Sequence, residues 1–247
     1  MSDFNRGAAR TIPADRADMS VDAGLRSFML GVYNKVALGL VVSAGLAFLT
    51  GSFAPVRDLM FTVANGRVGY SILGMVVAFA PLAVILFSSF TKNVTPKMAG
   101  ITYWAIVSLI GASMGVLVLR YTGASIASTF LLTATAFGAL SLVGYTTKKN
   151  LTGMGSFLIM GVWGLLGAML INMFLQNSMM SLLINVIGLL IFAGLTAYDT
   201  QRLKMTYHEL GGNQSAMSVA TNFGALSLYL DFINMFQFLL ALLGNRR

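Results

Sequence analysis

The sequence lacks cysteine altogether and has a single histidine, and these two shortages exclude several kinds of chemistry. Without a thiol the chain forms no disulfide, offers no thiolate to a metal and has no cysteine nucleophile. His208 is one ligand only, whereas a zinc ion takes about three or four protein ligands. We therefore expect neither a disulfide-stabilised fold nor a zinc centre, and no cofactor.

Charged residues are also scarce, and their scarcity indicates a membrane protein. They make up 10% of the 247 residues, against about 25% in soluble domains, while 57% of the residues are hydrophobic. The mean hydropathy is +0.79. The net charge of +8 does not indicate nucleic-acid binding, because the basic residues separate apolar segments and form no basic face with interleaved aromatic side chains. Membrane lipid, and not nucleic acid, is the expected partner.

Apolar stretches long enough to cross a membrane recur along the chain. A span needs about 20 mainly apolar residues. Seven stretches qualify, at roughly 29–50, 68–90, 99–119, 124–145, 154–175, 180–201 and 219–243. The sequence therefore predicts an all-α membrane protein with seven transmembrane helices over residues 28–245. Residues 1–27 are polar and are expected to form a flexible N-terminal tail without a cleaved signal.

The basic residues are distributed unevenly between the two sides of these spans. The side that carries the N-terminus has 11 lysines and arginines, and the opposite side has 5. Because positive charge favours the cytoplasm, we expect a cytoplasmic N-terminus in a cell-membrane protein. Seven crossings place the C-terminus outside. A re-entrant last segment would instead bring Arg246 and Arg247 inside and change the count to 13 against 3, so the sequence leaves the side of the C-terminus open.

Two of the eight acidic residues, Asp199 and Asp231, interrupt apolar runs, whereas the others lie in the polar tail or in connections. A charged group at membrane depth costs about 2.5–3.5 kcal/mol on insertion scales and marks a functional site by default. Helical spacing places Ser227 and Asn234 on the face of Asp231, and Thr196 on the side of Asp199. The sequence therefore predicts a polar site between the last two helices.

Two carboxylates at one site cannot both ionise easily, so the pair is expected to hold one proton between them. The shared proton would latch the sixth helix to the seventh, and its loss would produce repulsion unless a cation entered. Calcium prefers about six to eight oxygen ligands, so Asp199 and Asp231 with Ser227, Asn234 and water would bind it weakly and transiently. Weak binding suits a permeating ion. The structural alternative is that both acids only join the helices through hydrogen bonds.

Three segments of the chain resemble the Bax inhibitor family in its bacterial form. Residues 225–244, ALSLYLDFINMFQFLLALLG, are similar to the last-helix signature of that family. Residues 196–204, TAYDTQRLK, are similar to the end of its sixth helix, and residues 32–40, VYNKVALGL, to its first span. The resemblance extends over roughly 25–245.

The resemblance implies a bundle of six helices around the seventh, with Asp199 and Asp231 as a paired aspartate sensor. It also implies a pH-dependent calcium leak, in the bacterial inner membrane for a bacterial member. A basic residue at the end of the second helix closes the pore of such channels. Lys92 is the nearest candidate here, although a lysine lacks the arginine fork and a positive-inside anchor is its simpler role. The alternative from the same resemblance is a non-conducting regulator of a membrane-bound ATP-dependent protease, or a stress-response factor.

Two other classes of membrane protein do not fit the residues. An intramembrane aspartyl protease needs Gly-x-Gly-Asp around its second acid, whereas bulky residues precede the acid here, in Leu228–Asp231. A retinal protein needs a lysine within its last helix, and residues 219–243 contain none. No phosphate-binding loop, zinc-protease motif or nucleophile elbow occurs. We therefore expect no enzymatic activity.

Overall fold

The fold is a bundle of apolar helices, described by a computed structural model over residues 14–64, 67–91 and 94–247. Its helices are α1 (Ala14–Ser52), α2 (Ala54–Met60), α3 (Ile72–Ser89), α4 (Pro96–Ser113), α5 (Gly115–Arg120), α6 (Gly123–Thr146), α7 (Thr152–Leu175), α8 (Ser178–Glu209) and α9 (Gln214–Leu243). Within these residues, six helical segments are long and apolar enough to cross a membrane: α1, α4 continued by α5, α6, α7, α8 and α9. The expected all-α membrane fold is confirmed.

The second expected span, 68–90, is divided between a strand and a helix. β1 (Phe61–Ala64) and β2 (Arg67–Tyr70) form a short antiparallel hairpin at the end of α2. α3 begins only after the hairpin, where the Ser71 side chain caps its first turn. The helix at the second position is therefore shorter than the other apolar helices, because residues 68–70 pair as a strand.

The last helix, α9, lies at the centre of the bundle. It packs against α1, α4, α6 and α8, while α3 packs on α4, and α7 packs on α8. In its most apolar stretch 61% of the residues are buried, against 11–39% in the other five long spans. The expectation of a bundle arranged around its last helix is thus confirmed, with four direct neighbours described for α9. A central helix can carry polar groups, because its neighbours shield them from lipid.

α1 and α9 run parallel, which decides where the C-terminus lies. Lys35 of α1 contacts Asn222 of α9, and Ser43, two turns further along α1, contacts Tyr229, two turns further along α9. The chain therefore leaves the bundle at the end opposite the beginning of α1. Beyond α9, Arg246 pairs with Tyr121 just before α6, which fixes this segment at that end. The re-entrant arrangement that the sequence left open does not occur.

The first helix begins earlier than the apolar pattern predicts. α1 starts at Ala14, whereas the polar tail was expected to continue to residue 27. Residues 14–27 are therefore helical although they are polar, because a helix can continue beyond the apolar part of a span. The rest of the expected tail, residues 1–13, lies outside the described residues.

The connection between the last two helices is tighter than the sequence predicts. α8 continues to Glu209, so the polar segment expected at 202–218 is reduced to four residues, 210–213. Gly211 and Gly212 have positive φ angles of 55° and 83°, which glycine adopts without the steric cost of a Cβ atom. The tight turn holds α8 and α9 antiparallel along their length. It brings Asp199 of α8 and Asp231 of α9 to the same helix interface.

Candidate functional site

Asp199 lies in α8 and forms an ion pair with an arginine one turn further along the same helix. Its side chain is buried, at 7% of full exposure for the residue. Oδ1 of Asp199 is 3.2 Å from Nη2 of Arg202, whose side chain keeps 42% of its surface exposed. The same guanidinium nitrogen donates a hydrogen bond of 3.2 Å to Oγ of Ser227 on α9. Arg202 therefore connects the Asp199 carboxylate to the neighbouring central helix.

Asp231 lies in α9 and is more deeply buried than Asp199, at 4% exposure. Its Oδ2 atom is inaccessible to solvent and has no hydrogen-bond partner among the described residues. Ser227, one turn before Asp231 on α9, accepts from Arg202, which also pairs with Asp199. A buried carboxyl oxygen without a partner is costly, so it is a position where a proton or a cation is stabilising.

Close helix packing positions the two acids. Gly144 of α6 faces the backbone of α8, where a Cβ atom would collide with the carbonyl oxygen of Ala197. The side chain of Gln201 accepts from the Leu151 amide and donates to the Lys149 carbonyl, which fixes α8 to the start of α7. These contacts hold the stretch around Asp199 against two helices, while α9 packs on its remaining side.

Of the three expected supporting residues, Ser227, Asn234 and Thr196, only the first contacts the site in the structure. Ser227 belongs to the site, because it accepts the hydrogen bond from Arg202. Asn234 is half-buried and donates to the Leu230 carbonyl of its own helix. Thr196 is fully buried and donates to the Phe192 carbonyl, with Met235 Sδ of α9 at 3.4 Å. The observed hydrogen bonds of Asn234 and Thr196 thus do not reach the two carboxylates. The gate candidate, Lys92, lies outside the described residues.

Arg202 is the site residue that the sequence analysis missed. The expected sixth span ends at residue 201, so the apolar pattern assigns Arg202 to the loop that follows. In the structure α8 continues for two further turns, so the i to i+3 spacing puts Arg202 on the same face as Asp199. That spacing is visible in the sequence, once the helix is extended past the apolar run.

A second polar cluster lies on the α1 face of α9. Lys35 Nζ donates to Asn222 Oδ1 at 2.7 Å and lies 5.6 Å from the centre of the Tyr103 ring. The Ser43 hydroxyl donates to a backbone carbonyl, so the Tyr229 hydroxyl donates the hydrogen bond of 2.6 Å between them. This cluster has its partners within the bundle and joins α1, α4 and α9. It holds α9 against α1 and α4 along residues 222–229, the stretch that precedes Asp231.

The chemistry available at the site is proton and cation binding. With both acids ionised, Asp199, Asp231 and Arg202 sum to one negative charge, which a single proton neutralises. No group of three or more acidic, histidine or cysteine side chains that could hold a metal ion occurs in the described part of the chain. Two carboxylates and a hydroxyl fall short of a complete calcium shell.

Fold and site together define an integral membrane protein, a helical bundle with a buried pair of carboxylates between its central helix and a neighbour. Comparison with known proteins gives the family. Residues 25–247 match the family described as "Inhibitor of apoptosis-promoting Bax1", and the chain belongs to it.

Similarity to individual proteins extends over nearly the whole chain. An uncharacterized protein of Caulobacter vibrioides is 65% identical over 249 residues, which cover 100% of both chains. The inner membrane protein YbhL of Escherichia coli is 38% identical over 226 residues, 91% of this chain and 94% of its own. An uncharacterized membrane protein of Streptococcus pyogenes is 32% identical over 230 residues, with 91% and 95% covered. The relatives are therefore bacterial proteins of similar length.

Proposed function

We propose that the protein is a pH-sensitive cation leak, with calcium as the permeating ion and the Asp199–Asp231 pair as its sensor. The observation that supports this most strongly is the Oδ2 atom of Asp231, buried in the central helix without a hydrogen-bond partner in the described structure. A group in that state is stabilised by a proton or by a cation. Competition between the two couples ion entry to pH.

The coupling follows from the charges of the three residues. When a proton is shared by Asp199 and Asp231, the site is neutral with Arg202, and α8 and α9 are held together. When the proton leaves, the second carboxylate charge repels the first across the α8–α9 interface. A cation that enters relieves this repulsion, so the flux is expected to increase with pH.

Arg202 keeps this site weak. Without it two ionised carboxylates would bind a divalent ion strongly and release it slowly, whereas the arginine lowers the negative charge from two to one. A conducting site needs binding weak enough for release. The hydrogen bond from Arg202 to Ser227 keeps the positive charge beside Asp199 and beside the turn of α9 that precedes Asp231.

The proposal includes a location and an orientation. We place the protein in the bacterial inner membrane, as the name of the Escherichia coli relative states for that protein. The excess of basic residues, 11 against 5, supports a cytoplasmic N-terminus and a cytoplasmic α8–α9 turn. The C-terminal end of α9 then faces the opposite side. The role involves no covalent chemistry, because the pair only exchanges a proton for an ion.

Calcium entry into liposomes between about pH 5 and pH 8 tests the proposal. Asp199→Asn and Asp231→Asn keep the side-chain shape but remove the titrating charge, so each should flatten the pH dependence. Asp231→Asn should also lower the flux itself, because Asp231 is the deeper of the two acids. Asp58→Asn is the matched control, since Asp58 is an exposed acid of α2 paired with Arg57, and it should behave as wild type.

The outcomes separate the alternatives. Superimposable pH profiles for wild type, Asp199→Asn and Asp231→Asn would contradict the sensor and support a structural role for the acids. A folded wild-type protein without any calcium flux would contradict the leak and favour the non-conducting regulator of a membrane-bound protease. Truncation of residues 2–24, which removes the segment before α1 and the polar first turns of α1, distinguishes these further, because a leak should retain its flux.

A further inference from the structure

An apolar cavity with a positively charged mouth lies on the face of α9 turned away from α8. It has a volume of about 530 Å³, within the range of small-molecule sites of roughly 300–1,000 Å³. Side chains of α1, α5, α6 and α9 line it, among them Phe130 and Phe236. Arg57, after α1, and Arg247, after α9, are the charged residues of its lining.

The length of the cavity corresponds to one leaflet of a bilayer. Its lining residues on α1 run from Leu40 to Ser52, which is a rise of about 18 Å along the helix axis. Half of the hydrocarbon core of a membrane is about 15 Å thick. Arg57 and Arg247 lie beyond the end of α1 and of α9, where the headgroups of that leaflet begin. The cavity therefore has the dimensions of a site for an acyl chain.

The basic residues at this end of the bundle are of one kind. The charge count assigns only arginines to this side of the membrane, and it assigns all six lysines of the chain to the side of the N-terminus; the arginines are Arg57, Arg67, Arg120, Arg246 and Arg247. Asp58 is the one acid among these outer segments, and it engages Nε of Arg57 at 2.9 Å. The terminal nitrogens of Arg57 form no hydrogen bond within the described residues. One guanidinium group can donate two parallel hydrogen bonds to the oxygens of a phosphate, whereas an ammonium group acts as a point charge.

The C-terminal segment is held where it can take part in binding. The amide of Arg247 donates to the Arg120 carbonyl at 2.9 Å, and the Thr122 amide donates to the Asn245 carbonyl at 3.1 Å. These bonds fix the backbone of Arg247 at the cavity mouth instead of leaving it as a free end. A positive mouth also repels calcium, so this cavity is poorly suited to be the entrance of a cation pathway.

We propose that this cavity binds an anionic phospholipid of the leaflet on the C-terminal side, with one acyl chain between α1 and α9 and the phosphate at Arg57 and Arg247. The site shares no residue with the carboxylate pair of the proposed ion leak. Both sites nevertheless use α9, because Phe232 of the cavity wall directly follows Asp231 in the chain. The lipid therefore packs against the central helix from the side opposite to α8.

Native mass spectrometry of the full-length protein released from detergent tests the headgroup. Phosphatidylglycerol should remain bound about tenfold better than phosphatidylcholine with the same acyl chains. Both lipids present a phosphate, but the choline group of the second brings a positive charge beside the two arginines, and this repulsion weakens its binding. Arg247→Gln should remove most of this preference. Arg246→Gln is the matched control: it removes the same charge from the adjacent residue, which does not line the cavity, and should retain the preference.

A second pair of variants tests the acyl-chain site. A Cβ atom at Gly123, on the cavity wall, meets no atom within 4 Å, and the same holds for Gly138, which lines a different cavity towards the other end of α6. Both positions therefore have room for the Cβ atom of a larger side chain. Gly123→Leu should reduce the binding of both phospholipids several-fold, whereas Gly138→Leu should leave it unchanged.

Several results would overturn the proposal. Equal retention of the two phospholipids by wild type would contradict headgroup recognition, and equal effects of Arg246→Gln and Arg247→Gln would show that only net charge matters. Equal effects of Gly123→Leu and Gly138→Leu would place the lipid outside the cavity. A lipid-free dimer, or a bound free fatty acid in place of the phospholipid, would assign the cavity to a different occupant. All of these readouts are independent of calcium flux.

Discussion

Replacement of Arg202 by glutamine tests the electrostatic argument at the carboxylate pair directly. In the structure the guanidinium lies 3.2 Å from Asp199 Oδ1 and 3.2 Å from Ser227 Oγ, and its carbon is 5.6 Å from the centre of the Tyr198 ring. Glutamine keeps part of the side-chain volume and a hydrogen-bond donor but removes the charge. The net charge of the ionised site then changes from one negative to two negative.

The magnitude follows from the burial of the two partners. Removal of one partner from a fully buried ion pair costs about 3–5 kcal/mol, and exposed pairs contribute about 0.2–1 kcal/mol. Asp199 is 7% exposed, but the Arg202 side chain retains 42% of its surface, so solvent screens this pair considerably. We therefore expect Arg202→Gln to lower the free energy of unfolding by about 1–2 kcal/mol at neutral pH.

A double-mutant cycle with Asp231→Asn isolates the charge effect. Asp231→Asn alone should be nearly neutral for stability or stabilising, because it removes a buried charge whose Oδ2 has no described partner. Combined with Arg202→Gln it restores a site with one negative charge, so the double variant should be more stable than the sum of the single effects predicts, by about 0.5–1.5 kcal/mol. Unfolding in mixed micelles by SDS titration gives these values.

Lys204→Gln is the control for this cycle. Lys204 is in the same helix and loses the same charge, but its Nζ donates to the Tyr145 carbonyl on α6 at 3.2 Å and does not contact the acids. Its effect should be additive with Asp231→Asn. If the Arg202→Gln and Asp231→Asn effects are also additive, the three charges do not act together, and the reasoning on proton and cation exchange is wrong.

Three further predictions concern packing, alkaline pH and topology. Gly144→Ala should destabilise the protein by about 1–3 kcal/mol in the same SDS titration, because the new methyl group collides with the Ala197 carbonyl. Burial raises the pKa of Tyr70 above its ordinary value, so the stability that its neutral hydroxyl provides should be fully present below the ordinary tyrosine pKa and lost as the pH rises from there through the higher pKa. Tyr70→Phe should remove that alkaline loss and cost about 1 kcal/mol at neutral pH, since the hydroxyl donates to the Ser113 carbonyl at 3.1 Å. In a chain without cysteine, Ser215→Cys in the α8–α9 turn region should resist an impermeant thiol reagent in intact cells, and labelling from outside would contradict the orientation.

The fold was predictable to the extent that hydropathy determines it. Apolar stretches identify the long helices, because a span must satisfy its backbone hydrogen bonds internally and expose apolar side chains to lipid. Hydropathy does not report helix beyond the membrane, so the polar first turns of α1 and the last two turns of α8 were missed. The hairpin had its own signal, Asn65-Gly66 between residues of high β-propensity, which a search for long apolar runs overlooks.

The two acids of the site were predictable from the sequence, but its basic residue, Arg202, was not. Asp199 and Asp231 stand out because ionised groups are rare in apolar runs, and the helix order brings them to one interface. Arg202 does not stand out, because a basic residue at the end of an apolar run looks like an orientation signal. Only the observed length of α8 assigns it to the face of Asp199. Charges near the end of a span are therefore ambiguous until the helix boundary is known.

The central position of α9 explains why one helix can carry both proposed sites. A lipid-facing helix could not hold Asp231, and a helix with a single apolar stripe could not be covered on all sides. α9 directs Asp231 and Ser227 to α8, Tyr229 to α1, and Phe232 and Phe236 to the cavity between α1 and α6. Successive residues of a helix point about 100° apart, so Asp231 and Phe232 face different neighbours although they are adjacent in sequence. A displacement of α9 that separates it from α8 must therefore change the cavity as well, because the same rigid helix forms one wall of each.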